Sequence, residues 1–458
     1  MKNNKNPLLS ISPLDGRYFL TSSVLENIFS EYALIYHRVI VEIKYLITLS
    51  EDNDIHEVKK LNKNSLIFLD SIIKNFSLDD AIRIKEIEKI TNHDVKAVEY
   101  FLQERLKNKI ELKNKIEFIH FALTSEDVNN LSYALMLKQA KETIIIPQIK
   151  DLKKQLVKMA HKYSSFAMLS RTHGQPATGT TMGKELANTA YRLKRQLKQL
   201  KKCPIMAKIN GAVGNYNAML SAYPQKNWQK FSKNFIENMG LDFNPYTTQI
   251  EPHDYIAELF HNLIRINNII IDYDRDIWSY ISIGYFKQKR QEGEVGSSTM
   301  PHKINPIDFE NAEGNLGISN ALLGFFADKL CKSRMQRDLT DSTVLRNIGV
   351  GVGHSLLGYI STQKGNNKLE LNATVLKKDL DDNYQILAEP IQTIMRKIGI
   401  SDPYEKLKKF TRGKQITKQD IENFIKSLDG ITESQKHSLL QLSPHNYIGA
   451  ATELARKI

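Results

Sequence analysis

Residues 296–305 combine residue types that could carry out acid–base chemistry. They read Gly-Ser-Ser-Thr-Met-Pro-His-Lys-Ile-Asn. A serine hydroxyl is a poor base unless it is desolvated or lies beside a positive charge, and Lys303 follows Ser297 by six residues. Gly293 and Gly296 would let the segment close over a ligand and exclude water. The pattern predicts a mobile loop that carries a nucleophile or base beside a cation.

A histidine in a second polar segment could supply the matching acid. Residues 170–177 read Ser-Arg-Thr-His-Gly-Gln-Pro-Ala and contain His173. Histidine is the natural proton donor near neutral pH. We expect His173 to lie at a turn between two helices. By itself the segment is also compatible with a half-buried structural histidine.

Two further segments could orient charged groups. In residues 91–100, Asp94 follows His93 directly, and its carboxylate could orient the imidazole or keep it charged. Thr124 and Ser125 precede two acids and an apolar helical pattern, so they could bind a carboxylate at a helix N-terminus. Plain helix capping is the alternative for the first segment, whereas at Thr124 and Ser125 capping and anion binding do not exclude each other.

A third set of residues suits phosphate. Residues 15–18 place Arg17 after a turn, and residues 334–346 contain Arg337, Ser342 and Arg346. The planar guanidinium fork matches phosphate oxygens. Each arginine taken alone is also typical of an ordinary surface.

Several other chemistries find no support in the sequence. The glycines of residues 211–214 lack the lysine and hydroxyl of a phosphate-binding loop, and there is no dinucleotide fingerprint or His-Glu-x-x-His zinc motif. The twelve histidines show no ligand pairing, and two cysteines form neither a disulfide framework nor a metal site. We therefore predict no metal.

The net charge of +13 raises the alternative of a basic helical RNA-binding protein without catalytic activity. The basic residues are spread along the chain, mostly on polar faces of helical segments, and no finger spacing or aromatic ribonucleoprotein motif is present. Solvated helix faces and compositional bias explain the charge better.

The elements that must position these residues are helices. Apolar residues recur at three- and four-residue steps, as in residues 256–270, while glycine and proline are scarce at 22 and 13 of 458 residues. Long helices are predicted over residues 126–161, with a kink at Pro147, and over residues 254–286 and 306–329. Asn305 and Pro306 read as the cap and first residue of the last of these. The sequence predicts an all-α protein whose long helices form a bundle.

We predict three helical domains: an N-terminal domain over residues 1–113, a central long-helix bundle over 114–365, and a small C-terminal domain over 366–458. Residues 364–368 are the best linker candidate by composition. No secretory signal or membrane span is evident, so we expect a cytoplasmic protein.

Taken together, these segments resemble the adenylosuccinate lyases, in particular their longer bacterial form, within the fumarase/aspartase superfamily. The likeness extends from residues 12–13 to residues 446–449. The serine and histidine segments are similar across the superfamily, whereas residues 91–100, 247–254 and 337–346 resemble this family specifically. Residues 178–182 depart slightly from the expected pattern, but they include no residue assigned a role.

The resemblance implies β-elimination of fumarate from adenylosuccinate, giving AMP, and from the succinyl-carboxamide imidazole ribotide SAICAR, giving AICAR, without a cofactor. It implies Ser297 as general base and His173 as general acid. The succinyl carboxylates would be held by Thr124, Ser125, Ser298, Lys303 and Asn305. The phosphate would be held by Arg17, Tyr18, Arg337, Ser342 and Arg346. The middle of the substrate would be lined by Asn92, His93, Asp94 and Gln249.

Helix length adds an expectation about assembly. Thr124 and Ser125 open the first long helix and His173 lies beyond its far end, so at ~1.5 Å per residue the two would lie tens of ångströms apart in one chain. They can serve one substrate only if subunits share sites. The family resemblance likewise implies a homotetramer with the central bundle at its core. Other lyases of the superfamily, such as argininosuccinate lyase, remain the alternative, although their substrates lack the phosphate that Arg17, Arg337 and Arg346 would bind.

Overall fold

A computed structural model describes residues 6–289, 300 and 302–458. These residues are predominantly helical, which confirms the predicted fold class. The N-terminal part contains α1 (Phe19–Ser22), α2 (Glu26–Phe29), α3 (Glu31–Glu51), α4 (Lys63–Lys74), α5 (Leu78–Thr91), α6 (Asp94–Lys107) and α7 (Ile110–Lys113). The next part contains α8 (Ser125–Gln139), α9 (Ile146–Lys162), α10 (Met182–Lys202), α11 (Asn217–Ala222), α12 (Trp228–Asn238), α13 (Asp254–Ser282) and α14 (Ile307–Leu330).

The C-terminal part is built from shorter helices after one long one. It contains α15 (Thr340–Leu345), α16 (Ile348–Lys368), α17 (Ala373–Asp381), α18 (Ala388–Lys397), α19 (Pro403–Thr411), α20 (Lys418–Lys426), α21 (Glu433–Leu440) and α22 (Ala451–Arg456). Short 3-10 turns occur at Pro7–Leu9, Ser23–Leu25, Ile116–Phe118 and Tyr384–Leu387. Among the described helices, none combines the length and the apolar character that crossing a membrane requires.

The long helix predicted over residues 126–161 is present with one irregularity. A π-helical segment, Ala140–Ile145, joins α8 to α9 directly before Pro147. Proline has no N–H to donate to the preceding turn and its ring crowds the carbonyl four residues earlier, so a wider turn relieves both problems. The predicted kink is thus a π-helical widening.

Within the described residues, short strands form three two-stranded sheets that were not predicted from the sequence. They pair β1 (Ala167–Thr172) with β2 (Gln175–Thr181), β3 (Met206–Ala207) with β4 (Asp242–Phe243), and β5 (Phe286–Gln288) with β6 (Leu369–Leu371). The β1–β2 and β5–β6 pairs are antiparallel, and β3–β4 is parallel. The expectation that His173 lies between two helices is wrong, because Thr172 pairs with Gln175 and leaves His173 in a hairpin turn.

The expected linker at residues 364–368 is helical instead. It forms the last turns of α16, and β6 follows at once. A Cβ on Gly365 would come within 2.6 Å of the ring of Phe309, so this glycine allows α16 to pack closely on α14. The composition that indicated a flexible connection reflects close helix packing.

The described chain divides into two compact units. The first unit comprises Met1–Gln148, Lys198–Asn267 and Gly314–Gly358, and the second comprises Ile149–Leu197, Asn268–Glu313 and Tyr359–Ile458. Within the second unit, Leu169 of β1 joins a buried apolar cluster formed mainly by α17–α21. The three-domain division at residues 113 and 365 stays a prediction.

Candidate active site

The start of α8 carries Thr124 and Ser125, two of the expected carboxylate ligands. The backbone N–H of Thr124 donates to Asp127 Oδ2 at 2.9 Å, which fixes the chain as it enters the helix. Asp127 is fully buried, lies 2.9 Å from Lys208 Nζ and accepts a further hydrogen bond from the backbone of Asn210 at 3.0 Å. The positive end of α8 is therefore held rigidly beside two hydroxyl groups, an arrangement that suits an anion.

Asn92 and His93 form the short connection between α5 and α6. Asn92 ends α5 with a left-handed φ of 49°, a conformation that asparagine tolerates. The Nδ1 atom of His93 accepts a hydrogen bond from the backbone N–H of Lys96 at 3.1 Å. The neutral ring then carries its proton on Nε2, which lies 3.5 Å from Ser125 Oγ. The fold thus brings His93 and Ser125 together.

Asp94 accepts hydrogen bonds from two arginines, so the expectation that it orients His93 is wrong. Its Oδ2 accepts hydrogen bonds from Arg38 at 2.7 Å and Arg346 at 3.0 Å, whereas its Oδ1 lies 4.0 Å from His93 Nδ1. Burial would raise the pKa of Asp94, but the two guanidinium groups lower that pKa to about 2. Arg346 also donates to Ser342 Oγ at 2.7 Å. Asp94, Ser342 and Arg346 therefore form one hydrogen-bonded group.

Arg337 and Gln249 form a second group beside α8. Arg337 Nη1 donates to Gln249 Oε1 at 3.2 Å, and its Nη2 lies 3.2 Å from Glu126 Oε2 and 3.8 Å from Asp341 Oδ1. The amide of Gln249 donates to the carbonyl of Ala212 at 3.1 Å. Since Glu126 directly follows Ser125, this group adjoins the helix start that carries the hydroxyls.

Arg17 and Tyr18 lie on the turn that precedes α1. The guanidinium of Arg17 is 5.9 Å from the centroid of the Tyr18 ring. Asp15 and Phe19, on either side, line a surface pocket together with Arg346. The turn is thus near the group formed by Asp94, Ser342 and Arg346. The described contacts do not join Arg17 to that group directly.

Several charged residues that lie among or near the expected site residues of the first unit were not predicted from the sequence: Arg38, Glu42, His120, Glu126, Lys208, Glu251, His253 and Asp341. A signal existed for some of them. Arg38 is a buried arginine within the apolar pattern of α3, and residues 247–254 contain Glu251 and His253 beside Gln249. His120, four residues before Thr124, has its Nδ1 2.6 Å from Glu42 Oε1.

In the second unit, His173 lies at the tip of the β1–β2 hairpin and is exposed. His173 has a φ of 54° and Gly174 a φ of 73°, as a two-residue turn with both central residues left-handed requires. The hairpin is anchored at Arg171, which donates to Tyr285 at 2.8 Å and to Asp379 at 2.6 Å. The missed sequence signal was a His-Gly pair between two short runs, the second of which, residues 175–181, is rich in threonine.

Lys303 and Asn305 lie on the segment that enters α14. The side chain of Gln288 donates to the carbonyl of Ile304 at 3.1 Å, which ties this segment to β5. The carbonyl of Pro306 accepts the first hydrogen bonds of α14, one residue later than the predicted cap. Ser297 and Ser298 lie outside the described residues.

The expected site residues therefore fall into two sets. The first unit contains most of the anion-binding candidates and joins several of them through hydrogen bonds, and the second contains His173, Lys303 and Asn305. Guanidinium groups, hydroxyls and a helix N-terminus can bind a phosphate and carboxylates. An exposed imidazole can donate a proton.

Two protein families match consecutive parts of the chain. Residues 16–319 match the Lyase family, and residues 333–448 match the Adenylosuccinate lyase C-terminal family. The adenylosuccinate lyase of Haemophilus influenzae is 56% identical over 98% of this chain and 99% of the relative. That of Escherichia coli K12 is 54% identical over the same shares.

Solved structures at much lower identity share the fold. A fumarate lyase from Mesorhizobium sp. BNC1 has a TM-score of 0.75 at 15% identity, covering 95% of this chain and 97% of the other. The 3-carboxy-cis,cis-muconate lactonizing enzyme from Pseudomonas putida has a TM-score of 0.73 at 18% identity, covering 95% and 96%. At these identities the likeness extends to the fold alone.

Proposed function

The chain belongs to the adenylosuccinate lyases, and from this premise we propose that it eliminates fumarate from adenylosuccinate, giving AMP, and from SAICAR, giving AICAR. The observation that carries the proposal is the hydrogen-bonded group near the start of α8, in which Arg346 donates to both Ser342 and Asp94. Both substrates carry a phosphate and a succinyl group, and these are the anions that such a cluster suits. The reaction needs no metal or organic cofactor.

The phosphate contacts Arg17, Tyr18, Arg337, Ser342 and Arg346 in this proposal. Arg346 Nη1 lies 2.7 Å from Ser342 Oγ, so a guanidinium and a hydroxyl can meet the same phosphate oxygens. Asp94 holds Arg346 from the other side, which limits the side-chain entropy lost on binding. Asn92, His93, Asp94 and Gln249 line the middle of the substrate.

The carboxylates of the succinyl group contact Thr124, Ser125, Ser298, Lys303 and Asn305. Removing a proton from the carbon next to one carboxylate places growing negative charge on that carboxylate. Hydroxyl and amide donors at the start of α8, with the ammonium of Lys303, stabilise this charge. The rigid support of Thr124 by Asp127 favours such preorganisation.

Ser297 takes that proton as the general base, and His173 gives a proton to the departing nitrogen as the general acid. The carbon–nitrogen bond breaks as the carbon–carbon double bond of fumarate forms, so electrons and protons balance within the substrate and these two residues. The hairpin turn holds His173 at an exposed tip, which suits proton delivery to a bound ligand.

The active enzyme is a homotetramer with shared sites, located in the cytoplasm, where its phosphorylated substrates are retained. Exposed apolar side chains support assembly: Ile318 and Phe325, one heptad apart on α14, are 50% and 54% exposed in the single chain. The sequence distance between Thr124 and His173 supports sharing.

Mixing two inactive variants tests both the roles and the sharing. His173→Asn keeps the left-handed turn, because asparagine tolerates φ near 54°, and should lower kcat by about 10²–10⁴-fold, as should Ser297→Ala. After random subunit exchange in an equal mixture, about a quarter of the shared sites would combine an unmutated Ser297 from one subunit with an unmutated His173 from another and recover activity. Activity is followed as loss of adenylosuccinate absorbance.

Two results would contradict the proposal. The absence of any rescue under proven subunit exchange would mean that His173 and Ser297 act from one chain. Turnover of argininosuccinate or malate in place of adenylosuccinate would assign the chain a different substrate.

A further inference from the structure

His253 lies in a closed cluster of charged side chains behind Arg337 and Gln249. Its side chain is 2% exposed, and neither ring nitrogen has a hydrogen-bond partner within normal distance. Instead, Nδ1 lies 3.7 Å from Glu251 Oε2 and Nε2 lies 3.9 Å from Asp341 Oδ2. Each ring nitrogen thus faces a different carboxylate, which is the environment of an imidazolium that carries both protons.

The backbone holds this ring in place at some conformational cost. His253 has a left-handed φ of 65°, and its carbonyl accepts the first hydrogen bonds of α13, from Ile256 and Ala257. Its own N–H donates to Glu251 Oε2 at 2.7 Å, and Asn244 donates to the other oxygen of that carboxylate at 2.7 Å. The backbone of His253 is strained but held by several hydrogen bonds, and it directs the buried ring at two carboxylates. This arrangement points to a role beyond packing.

The cluster connects His253 to the proposed substrate contacts. Asp341 lies between His253 and Arg337, with Oδ1 3.8 Å from the guanidinium. Glu126 Oε2 lies 3.2 Å from the same guanidinium, which in turn donates to Gln249. We propose that His253 is a positioning residue, a buried cation that holds Asp341 and Glu126 so that Arg337 keeps its guanidinium directed at Gln249 and the substrate. The inference rests on the proposed substrate contacts of Arg337 and Gln249.

Charge balance supports this role. Without a cation at His253, three buried carboxylates (Glu126, Glu251 and Asp341) would be left with the guanidinium of Arg337 and the ammonium of Lys208, which acts on Glu126, and unpaired buried charge is strongly unfavourable. Burial alone would lower the pKa of His253, but Asp341 and Glu251, with Glu126 further away, raise it to about 9. Burial raises the pKa of Glu126 to about 7, against the opposing effect of Arg337 and His253.

The same geometry could be taken for a metal site, because Glu126, His253 and Asp341 place one donor atom each within 4.8 Å of one another. The guanidinium of Arg337 already occupies the position of a cation toward both acids. Protons on the two nitrogens of His253 add a second positive charge to the cluster without a further ion.

The test compares His253→Asn with wild type. Asparagine keeps the helix cap and the left-handed backbone but removes the cation. We expect KM for adenylosuccinate to rise about tenfold with kcat within about twofold, because Arg337 binds a part of the substrate remote from the reacting bond. The control His354→Asn removes another buried histidine of the first unit, which bonds Asn315 at 2.8 Å, and should leave KM unchanged.

The pH profile separates positioning from a purely structural role. Below about pH 7 Glu126 takes up a proton and releases Arg337, so KM of the wild type should rise toward acid. Removing the cation at His253 should raise the pKa of Glu126, so the rise of KM toward acid should begin at higher pH. Glu126→Gln should abolish this rise. The second variant also keeps the test informative if His253→Asn does not fold.

Arg337→Gln distinguishes failure of the inference from failure of the proposed function. If Arg337→Gln raises KM while His253→Asn and Glu126→Gln leave KM and its pH profile unchanged, only the positioning role is overturned. If Arg337→Gln itself leaves KM unchanged, the proposed phosphate contact is wrong. Stoichiometric metal in the purified enzyme, lost on chelation together with activity, would also overturn the assignment of His253 as the cation.

Discussion

Individual side chains near the start of α8 are held by charges that their own sequence neighbours do not supply. Asp94 follows His93 in sequence, yet it binds Arg38 of α3 and Arg346, which follows α15. The imidazole of His93 is oriented by a backbone N–H of its own helix. Adjacent residues on a helix point in different directions, so adjacency was a poor guide to pairing.

Asp94→Asn should destabilise the enzyme, and the free energy of unfolding of the variant should fall less at acid pH than that of the wild type. The variant leaves the guanidinium of Arg38, 2% exposed, without its carboxylate, at an expected cost of about 3–5 kcal/mol. The pKa of Asp94 is lowered to about 2, so its contribution to stability is present above its unfolded pKa near 4 and is lost as pH falls through 2.

Urea unfolding of wild type and variant between pH 2 and pH 7 measures both effects. The difference between the two should be largest at neutral pH and should shrink toward pH 2. A difference that does not depend on pH would mean that the ionised carboxylate is not the stabilising group.

At the scale of secondary-structure elements, short strands and close helix contacts decide the local geometry. The hairpin that presents His173 packs on C-terminal helices through Leu169. A Cβ on Gly183, at the start of α10, would lie 2.4 Å from the carbonyl of Ala160 and 2.6 Å from Cα of Ser164. Backbone atoms of α9 and of the turn that follows it therefore limit this position to glycine.

Gly183→Ala should destabilise the protein by about 1–3 kcal/mol or more, because the clash is with backbone that cannot rotate away. Gly174→Ala in the hairpin turn is the matched control. It meets open space, so only its φ of 73° is unfavourable, at about 1 kcal/mol. Thermal unfolding of the two variants ranks them, and an equal or larger loss for Gly174→Ala would contradict the packing account.

At the scale of the whole molecule, α14 is apolar on opposite faces. Leu316, Leu323 and Phe326 are buried within the first unit, whereas Ile318 and Phe325 are exposed in the single chain. A helix that is apolar all round is normally covered on all sides. The proposed homotetramer would cover the exposed face.

Ile318→Lys together with Phe325→Lys should therefore dissociate the assembly and abolish activity at low protein concentration, because lysine is strongly disfavoured in a buried interface core. Ile110→Lys is the control, since Ile110 is 93% exposed on the short helix α7. Sedimentation velocity should give four chain masses for wild type and control and fewer for the double variant. An intact tetramer in the double variant would mean that the face of α14 with Ile318 and Phe325 is not part of the interface.

Sequence alone determined the helical class, the long helices and the family, because periodic apolar residues and local motifs are short-range properties. Tertiary structure alone decided that Asp94 binds two arginines, that His173 lies in a strand hairpin and that His253 faces Glu251 and Asp341. These outcomes depend on which distant side chains meet in a desolvated interior, where pairing and burial outweigh local propensity.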